Sequence, residues 1–244
     1  MEPRQVLSAR STLNKPLGDS GLCDLTTVLR QMLGPGIAAA TAAPRLVCDE
    51  LFSDELRYIG KAVQKRRAEF GTARVCARHA LSELGIEPCS LAPNPDRSPS
   101  WPTGVRGTIA HSAHRCAAAV TNLPEITGIG LDLEEDTPLL QDLESVICTA
   151  AERQWLQRFS LSERARLGKV FFSAKEAFYK CQYDTSRAFI TFQDVTLELD
   201  RSAQSFRVGA LLPSGNPWDR VRSVTGRFHR EHGLVITTAL LVSR

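Results

Sequence analysis

The segment GIGLDLEED, residues 128–136, constrains the fold of this chain more than any other stretch. Its isoleucine and two leucines fall on alternate positions, and side chains on a β-strand alternate between faces, so the pattern predicts a half-buried strand. Asp132 and Glu134 then share the opposite face, about 7 Å apart along the strand. Two carboxylates therefore lie side by side in a chain whose net charge is +3.

The paired acids have two interpretations. One is a solvated strand face, where acidic residues are common. The other is a site for a hard cation, because Mg²⁺ prefers oxygen ligands and keeps waters and substrate phosphates in its coordination shell. Glu135 and Asp136 follow immediately and add to the local negative charge.

Length and composition exclude several classes of protein. A chain of 244 residues is expected to form one large domain or two small ones, with a core that needs no disulfides. A net charge of +3 is too weak to indicate a nucleic-acid partner. The seven cysteines are odd in number and form no CxxC, which favours reduced thiols in a cytoplasmic protein. We expect a loose leader over residues 1–22, no signal peptide and no membrane span.

The hydrophobic pattern predicts helices and strands in two successive units. Residues 51–85 are helical in pattern, with Gly71 as a possible break, and a proline-rich loop follows at 86–104. A second long helix runs through FFSAKEAFYK, residues 171–180, and strands follow it. The order predicts an α+β chain of two subdomains with a seam near residues 122–128.

The second long helix carries charged residues opposite its apolar stripe. A capping box of Ser160 and Glu163 is expected to open it. Its predicted core stripe consists of Leu167, Val170, Phe171, Ala174 and Phe178. Glu176 and Lys180 lie on the other face, either as an exposed pair that stabilises the helix by about 0.2–0.5 kcal/mol or as a metal ligand and a phosphate ligand, with Lys175 also on phosphate.

Two further segments are candidates for binding phosphate. KRRAEFGTAR, residues 65–74, is either a basic solvated helix face or a phosphate clamp. His111 and Ser112 are expected at a turn, where they could bind phosphate or a base edge; their surroundings match no zinc signature and lack the glycines of a nucleophile elbow. The GIG at the start of the acidic strand lacks the third glycine of a dinucleotide-binding turn.

Taken in order, these segments resemble one family. GIGLDLEED followed by FFSAKEAFYK is similar to the paired signature of the 4′-phosphopantetheinyl transferases, roughly (V/I)G(V/I)D(I/L)E and (F/W)xxKExxxK. The resemblance is to the large monomeric type that activates siderophore and antibiotic synthetases. KRRAEFGTARVCARHALSELG and SPSWPTGVRGTIAHS resemble its enterobactin-synthetase-activating branch. The likeness extends from about residue 51 to residue 180.

The resemblance implies a fold and an activity. The fold is an α+β pseudo-dimer of two similar halves, residues 1–124 and 125–244, with coenzyme A in the cleft between them. The activity is Mg²⁺-dependent transfer of the 4′-phosphopantetheine arm of coenzyme A to a serine of an apo acyl or peptidyl carrier protein, releasing 3′,5′-ADP, with Mn²⁺ as an alternative ion. The expected state is a cytoplasmic monomer with no nucleic-acid or membrane partner.

The resemblance also implies roles for individual residues. Asp132, Glu134 and Glu176 would hold the metal, and Glu176 would also be the general base, directly or through water. Lys175 and Lys180 would hold the pyrophosphate, and Arg66, with Arg67 as an alternative, would share the 3′-phosphate and diphosphate with Arg74. The implied coenzyme A contacts are Arg66, Arg74, Arg97, His111, Ser112, Asp132, Lys175 and Lys180.

Two alternative functions stay open at this point. One is a Mg²⁺-dependent phosphodiesterase that removes the arm from a carrier, and the other is a non-catalytic module that binds coenzyme A or a carrier. The second would be expected to lose at least one of the three acids. Carrier helices are generally acidic, and residues 181–192 either supply part of the docking surface or only link helix to strand.

Overall fold

A computed structural model describes residues 24–243, so the leader expected over residues 1–22 lies outside the described residues. The first part consists of α1 (Leu25–Leu33), β1 (Ala38–Ala42), a 3₁₀ turn (Cys48–Glu50), α2 (Ser53–Ile59), α3 (Gln64–Glu83), β2 (Arg106–His111) and β3 (Cys116–Thr121). The second part consists of β4 (Ile126–Glu135), α4 (Gln141–Ile147), α5 (Ala150–Leu156), α6 (Leu161–Ser186), β5 (Val195–Asp200), β6 (Ser205–Leu211), α7 (Trp218–Val221), β7 (Thr225–Glu231) and β8 (Leu234–Val242).

Two antiparallel sheets organise the described chain. The first has the strand order β1-β3-β2 and is covered by α3, and the second has the order β4-β8-β7-β6-β5 and is covered by α6. The α+β class with one long helix on each sheet is therefore confirmed. The chain passes from one sheet to the other between Thr121 and Ile126. A division into two halves at residues 124 and 125 stays a prediction.

The helical region predicted over residues 51–85 is divided, but the break is not at Gly71. It lies between α2 and α3, at residues 60–63. Gly71 is inside α3, where a Cβ atom would stand 2.6 Å from the Cγ2 of Val47. The glycine therefore serves close packing of the segment that carries Val47, and the helix tolerates it.

Helix α6 follows the prediction closely. The Ser160 hydroxyl accepts a hydrogen bond from the backbone N–H of Glu163 at 3.4 Å, as expected at a helix start. The core stripe is confirmed, since all of its members are buried: Leu167, Val170, Phe171, Ala174 and Phe178. The helix ends where Arg187 adopts a left-handed conformation with φ of 52°. Of the helices within residues 24–243, none combines the length and apolar character needed to cross a membrane.

The glycines of the GIG segment let α6 lie directly on β4. A Cβ atom at Gly130 would overlap the carbonyl oxygen of Ala177, and one at Gly128 would overlap that of Cys181. A helix backbone can contact a strand backbone directly only where no side chain lies between them. This contact brings the charged face of α6 next to the acids of β4.

Gly130→Ala is expected to destabilise the protein by at least about 1–3 kcal/mol, because the added methyl group meets backbone that cannot move without shifting α6. Urea unfolding measures the change. Gly168→Ala, in α6, is the control: its Cβ would meet only the side chain of Leu139, 3.0 Å from Cδ2 and 3.4 Å from Cβ, and that side chain can adjust more easily than backbone. Equal stability of wild type and Gly130→Ala would contradict the packing role.

Candidate functional site

Two lysines of α6 neutralise the two acids of β4. Asp132 is only 6% exposed, and its Oδ1 accepts a hydrogen bond from Lys180 Nζ at 2.8 Å. Lys180 also donates to the carbonyl of Leu131 at 2.9 Å. Glu134 Oε2 accepts from Lys169 Nζ at 3.2 Å. The interpretation of this strand as a solvated face is wrong for Asp132, whose charge is buried and paired.

Lys169 and Ser173 belong to the site, although sequence reasoning missed both. Ser173 Oγ donates a hydrogen bond to Asp132 Oδ2 at 2.9 Å. A signal for them exists, because Lys169, Ser173, Glu176 and Lys180 are spaced at i, i+4, i+7 and i+11. That is one face of a helix, and it faces β4. A search for polar residues at helical spacing, in addition to the apolar ones, would have found Lys169 and Ser173.

Glu176 lies in the field of the other two acids. Burial raises the pKa of its carboxyl, Asp132 and Glu134 raise that pKa further, and Lys180 lowers it. The pKa of Glu134 is also raised, by burial and then by Asp132, against the opposing effect of Lys169. Three carboxylates that influence one another in this way have the donor chemistry that suits a hard divalent cation.

The predicted set of three metal ligands is nevertheless not assembled in this arrangement. Among residues 24–243, no group of three His, Cys, Asp or Glu side chains lies close enough together to hold a metal ion. The physical reason is that the ammonium groups of Lys180 and Lys169 take the positions beside Asp132 and Glu134. The donor set fits Mg²⁺ in its chemistry, but these lysines must give way for the acids to converge.

The expectation that Lys175 holds the pyrophosphate is wrong. Its side chain is 1% exposed and its Nζ donates to the carbonyls of Ile147 at 2.8 Å and Phe192 at 2.6 Å. The third partner is the buried carboxylate of Glu152, at 2.8 Å. Adjacent residues point about 100° apart on a helix, so Lys175 faces α4 and α5 while Glu176 faces β4. Burial lowers the pKa of Lys175, and Glu152 raises it.

A second cluster lies at the end of β2, on the first sheet. Arg66 and His111 approach to 2.7 Å between Nη1 and Nε2, and the carboxylate of Glu69 lies 3.7 Å from Arg66 and 3.8 Å from the His111 ring. Burial and then Arg66 lower the pKa of His111, and Lys180 and Asp132 also act on it. The backbone N–H of Leu131, next to Asp132, donates to Thr108 Oγ1 of β2 at 3.1 Å, so the strand that carries the acids lies beside the strand that ends at His111.

Arg74 is a buried cation whose hydrogen bonding is incomplete. The residue is 7% exposed, its Nε has no hydrogen-bond partner, and its guanidinium carbon lies 3.7 Å from the centre of the Phe70 ring. Burial lowers its pKa to about 10, and the charge of Arg66 acts in the same direction. Buried polar groups are normally hydrogen-bonded, so a buried guanidinium nitrogen without a partner indicates a place for an acceptor such as an anion.

The remaining predicted contacts are placed less centrally. Arg67 directs its guanidinium to Cys48 Sγ at 3.5 Å, so Arg66 is the member of this pair that lies beside His111. The backbone N–H of Ser112 donates to the Arg115 carbonyl at 2.7 Å, which places Ser112 at the β2–β3 turn. Arg97 is exposed at a tight turn with φ of 70°. Neither Ser112 nor Arg97 has a described contact with Lys180 or Arg74.

The proline-rich loop is tied to the end of α6. The Tyr183 hydroxyl donates to Asp96 Oδ2 at 3.0 Å, and Arg187 lies 4.0 Å from the same carboxylate. Next to this junction the rings of Tyr179, Tyr183 and Phe189 contact one another, with centroids 5.8–6.0 Å apart. The loop that carries Arg97 is thereby held against the helix that carries Lys180.

Comparisons with known proteins agree on one family. Residues 54–121 match the model of the 4′-phosphopantetheinyl transferase N-terminal domain, and residues 128–238 match that of the 4′-phosphopantetheinyl transferase superfamily. The chain is 33% identical over 201 residues to the 4′-phosphopantetheinyl transferase Svp of Streptomyces mobaraensis, which covers 82% of each chain. It is 31% identical to PptT of Mycobacterium tuberculosis, over 84% of this chain and 96% of the relative. With enterobactin synthase component D of Salmonella typhi it shares 35% identity over 54% of this chain and 53% of the relative.

Glu176→Gln is expected to raise the thermal unfolding midpoint of the metal-free protein at pH 8. When folding raises the pKa of an acid, the acid makes its full contribution to stability at a pH below its usual pKa of 4.5. That contribution is lost as the pH rises through the raised pKa. Unfolding in a chelating buffer should therefore show a more stable variant at pH 8 and convergence with wild type at pH 4.

The exposed Glu87, changed to glutamine, is the matched control and should show no such dependence on pH. A Glu176→Gln midpoint below that of wild type at pH 8 would contradict the unfavourable burial of this carboxylate.

Proposed function

The chain belongs to the 4′-phosphopantetheinyl transferase superfamily, and we propose that the cleft between its two sheets binds coenzyme A and a divalent cation for transfer of the phosphopantetheine arm to a carrier-protein serine. The activity is that of a holo-carrier-protein synthase. The observation that carries the proposed site is the hydrogen bond from the backbone N–H of Leu131 in β4 to Thr108 Oγ1 in β2, at 3.1 Å, because it joins the strand that carries Asp132 to the strand that ends at His111.

The phosphates of coenzyme A are assigned to the cations on the first sheet's side of the cleft. Arg74 has a buried Nε without a partner, and the positive charge of Arg66 acts on it. A phosphate oxygen would supply the missing acceptor, and arginine binds phosphate through several donors at once. His111, next to Arg66, completes this part of the site. Ser112 and Arg97 stay proposed contacts on the nucleotide side, while Lys175 is removed from the set.

Asp132, Glu134 and Glu176 are proposed to hold Mg²⁺, for which Mn²⁺ is the alternative. When bound, the ion neutralises negative charge on the pyrophosphate. Lys180 would then no longer be needed to neutralise Asp132, and we assign it to the pyrophosphate. Lys169 neutralises Glu134 in the same way, so it also sets the charge of the site.

Glu176 is proposed as the general base. Its raised pKa makes the ionised carboxylate a better proton acceptor than an exposed glutamate. The carrier serine would lose its proton to Glu176, directly or through a water, while its oxygen forms a bond to the β-phosphorus. The bond from that phosphorus to the bridging oxygen breaks, and 3′,5′-ADP leaves. Metal ligation would lower the basicity of Glu176, which favours the route through water.

Residues 181–192 are proposed to contribute apolar contact to the carrier. Phe189 is 77% exposed beside Tyr179 and Tyr183. Arg187 lies 3.5 Å from Asp184 and 4.0 Å from Asp96, so its charge is already offset and the patch is not basic. We also propose that the protein acts as a monomer in the cytoplasm and that its two halves meet at residues 124 and 125.

The test of the activity is the intact mass of apo carrier proteins after incubation with this protein, coenzyme A and Mg²⁺. Wild type is expected to add one phosphopantetheine group, and Glu176→Gln to lower the rate at least about 100-fold, the usual contribution of a general base. No mass gain on any of several acyl and peptidyl carriers would refute the activity. Loss of the arm from a loaded carrier would instead favour a phosphodiesterase.

Arg74→Met is expected to raise the KM for coenzyme A at least about 10-fold, because a buried phosphate partner would be lost. The effect should be smaller with dephospho-coenzyme A if Arg74 binds the 3′-phosphate. Thermal unfolding should show a midpoint no lower than that of wild type, since an incompletely bonded buried charge is removed. Arg67→Met is the control and should leave both parameters unchanged; an unaltered KM in Arg74→Met would contradict the assignment.

A further inference from the structure

The two oxygens of the Asp132 carboxylate have different partners. Oδ1 accepts from Lys180 Nζ, whose side chain is 29% exposed at the cleft. Oδ2 accepts from Ser173 Oγ at 2.9 Å, and Ser173 is completely buried. The carboxylate therefore has one oxygen held by a buried hydroxyl and one oxygen whose partner is a partly exposed ammonium group.

Ser173 is itself held by a second buried hydroxyl. Thr237 Oγ1 donates to the carbonyl of Ser173 at 2.8 Å, and the two hydroxyl oxygens are 2.9 Å apart. Thr237 stands directly opposite Asp132 in the pairing of β8 with β4. Three elements, β4, β8 and α6, thus meet in one small hydrogen-bonded group, which has no exposed hydroxyl.

We propose that Ser173 and Thr237 are positioning residues for Asp132, which fix Oδ2 so that Oδ1 is presented to the divalent cation. The inference rests on the proposed function of the cleft. The torsion that turns a carboxylate has broad minima, so the side chain alone does not select an orientation. A hydrogen bond from a buried serine selects it, and groups that orient a metal ligand commonly change metal affinity or activity 10–100-fold when removed.

Replacement of the Lys180 ammonium group by a divalent cation depends on how the Asp132 carboxylate is oriented. With Oδ2 held by Ser173, the departure of Lys180 would leave Oδ1 in place to bind a divalent cation. Without the serine, Asp132 could follow Lys180 or rotate, and its charge would be buried with one partner fewer. The serine and threonine would therefore change cation binding without touching the cation.

The experiment is a titration of the full-length protein with Mn²⁺, in which free Mn²⁺ is followed by electron paramagnetic resonance, with and without coenzyme A. Ser173→Ala is expected to weaken Mn²⁺ binding about 10–100-fold. Thr237→Val keeps the side-chain shape and should weaken it in the same direction, by less. Ser173→Thr retains the hydroxyl and should restore most of the affinity.

Thr121→Val is the matched control. Thr121 is also completely buried, and its hydroxyl donates to the Gly36 carbonyl at 2.8 Å in the first sheet. Loss of this hydroxyl should cost stability while leaving Mn²⁺ affinity unchanged. Circular dichroism of each variant identifies any that fails to fold, and Thr237→Val then decides the matter if Ser173→Ala is unfolded.

Failure of this inference and failure of the proposed function give different results. Wild type that binds no Mn²⁺ under either condition overturns both. Wild type that binds Mn²⁺, together with folded Ser173→Ala and Thr237→Val proteins of equal affinity, overturns the positioning role alone. Weakened binding in Thr121→Val to the same extent would also overturn it, because the effect would then be one of general stability.

Discussion

The ion pair between Lys180 and Asp132 is the interaction around which the site is built. Asp132 is nearly inaccessible to water, and a buried carboxylate is tolerable only when it is paired and hydrogen-bonded. The pair forms because α6 lies directly on β4, and α6 can do so because Gly128 and Gly130 have no side chains. Strand, glycines and helix are therefore parts of one arrangement, whose product is a cleft with carboxylates on one wall.

The lysines also explain how several acids can lie near one another in this part of the fold. Each lysine supplies locally the positive charge that a divalent cation would otherwise supply, so three neighbouring carboxylates can exist in a folded chain. The remaining electrostatic cost falls on Glu176, whose pKa is raised by burial and by the charges of Asp132 and Glu134. A site in this condition is less stable than it could be, which is a common cost of function. On α3, Arg74 has a buried Nε without a hydrogen-bond acceptor, which an anionic substrate could provide.

Much of this could be predicted from the sequence, because the relevant signals are periodic. The alternation in β4, the Ser160 N-cap and core stripe of α6, and the two αβ units all follow from side-chain spacing, whereas the return bond from Glu163 that would complete a capping box is not formed, because its carboxylate pairs with Arg201. The resemblance of two motifs in the right order identified the family. The role of Lys175 could not be predicted in this way, because α6 is covered on several sides and the motif does not tell which neighbour each lysine meets. Glu152, its buried partner, comes from a different helix with no sequence signal linking the two. Lys169 and Ser173 were accessible in principle, through their spacing on the Glu176 face.

The most direct test of this account is a crystal structure of the protein with coenzyme A and Mn²⁺, in which anomalous scattering locates the ion. The account predicts an ion bound by Asp132 Oδ1, Glu134 and Glu176, Lys180 Nζ withdrawn from Asp132 towards the pyrophosphate, and the hydrogen bond from Ser173 to Oδ2 unchanged. An ion elsewhere in the cleft, with Lys180 still bonded to Asp132, would contradict it.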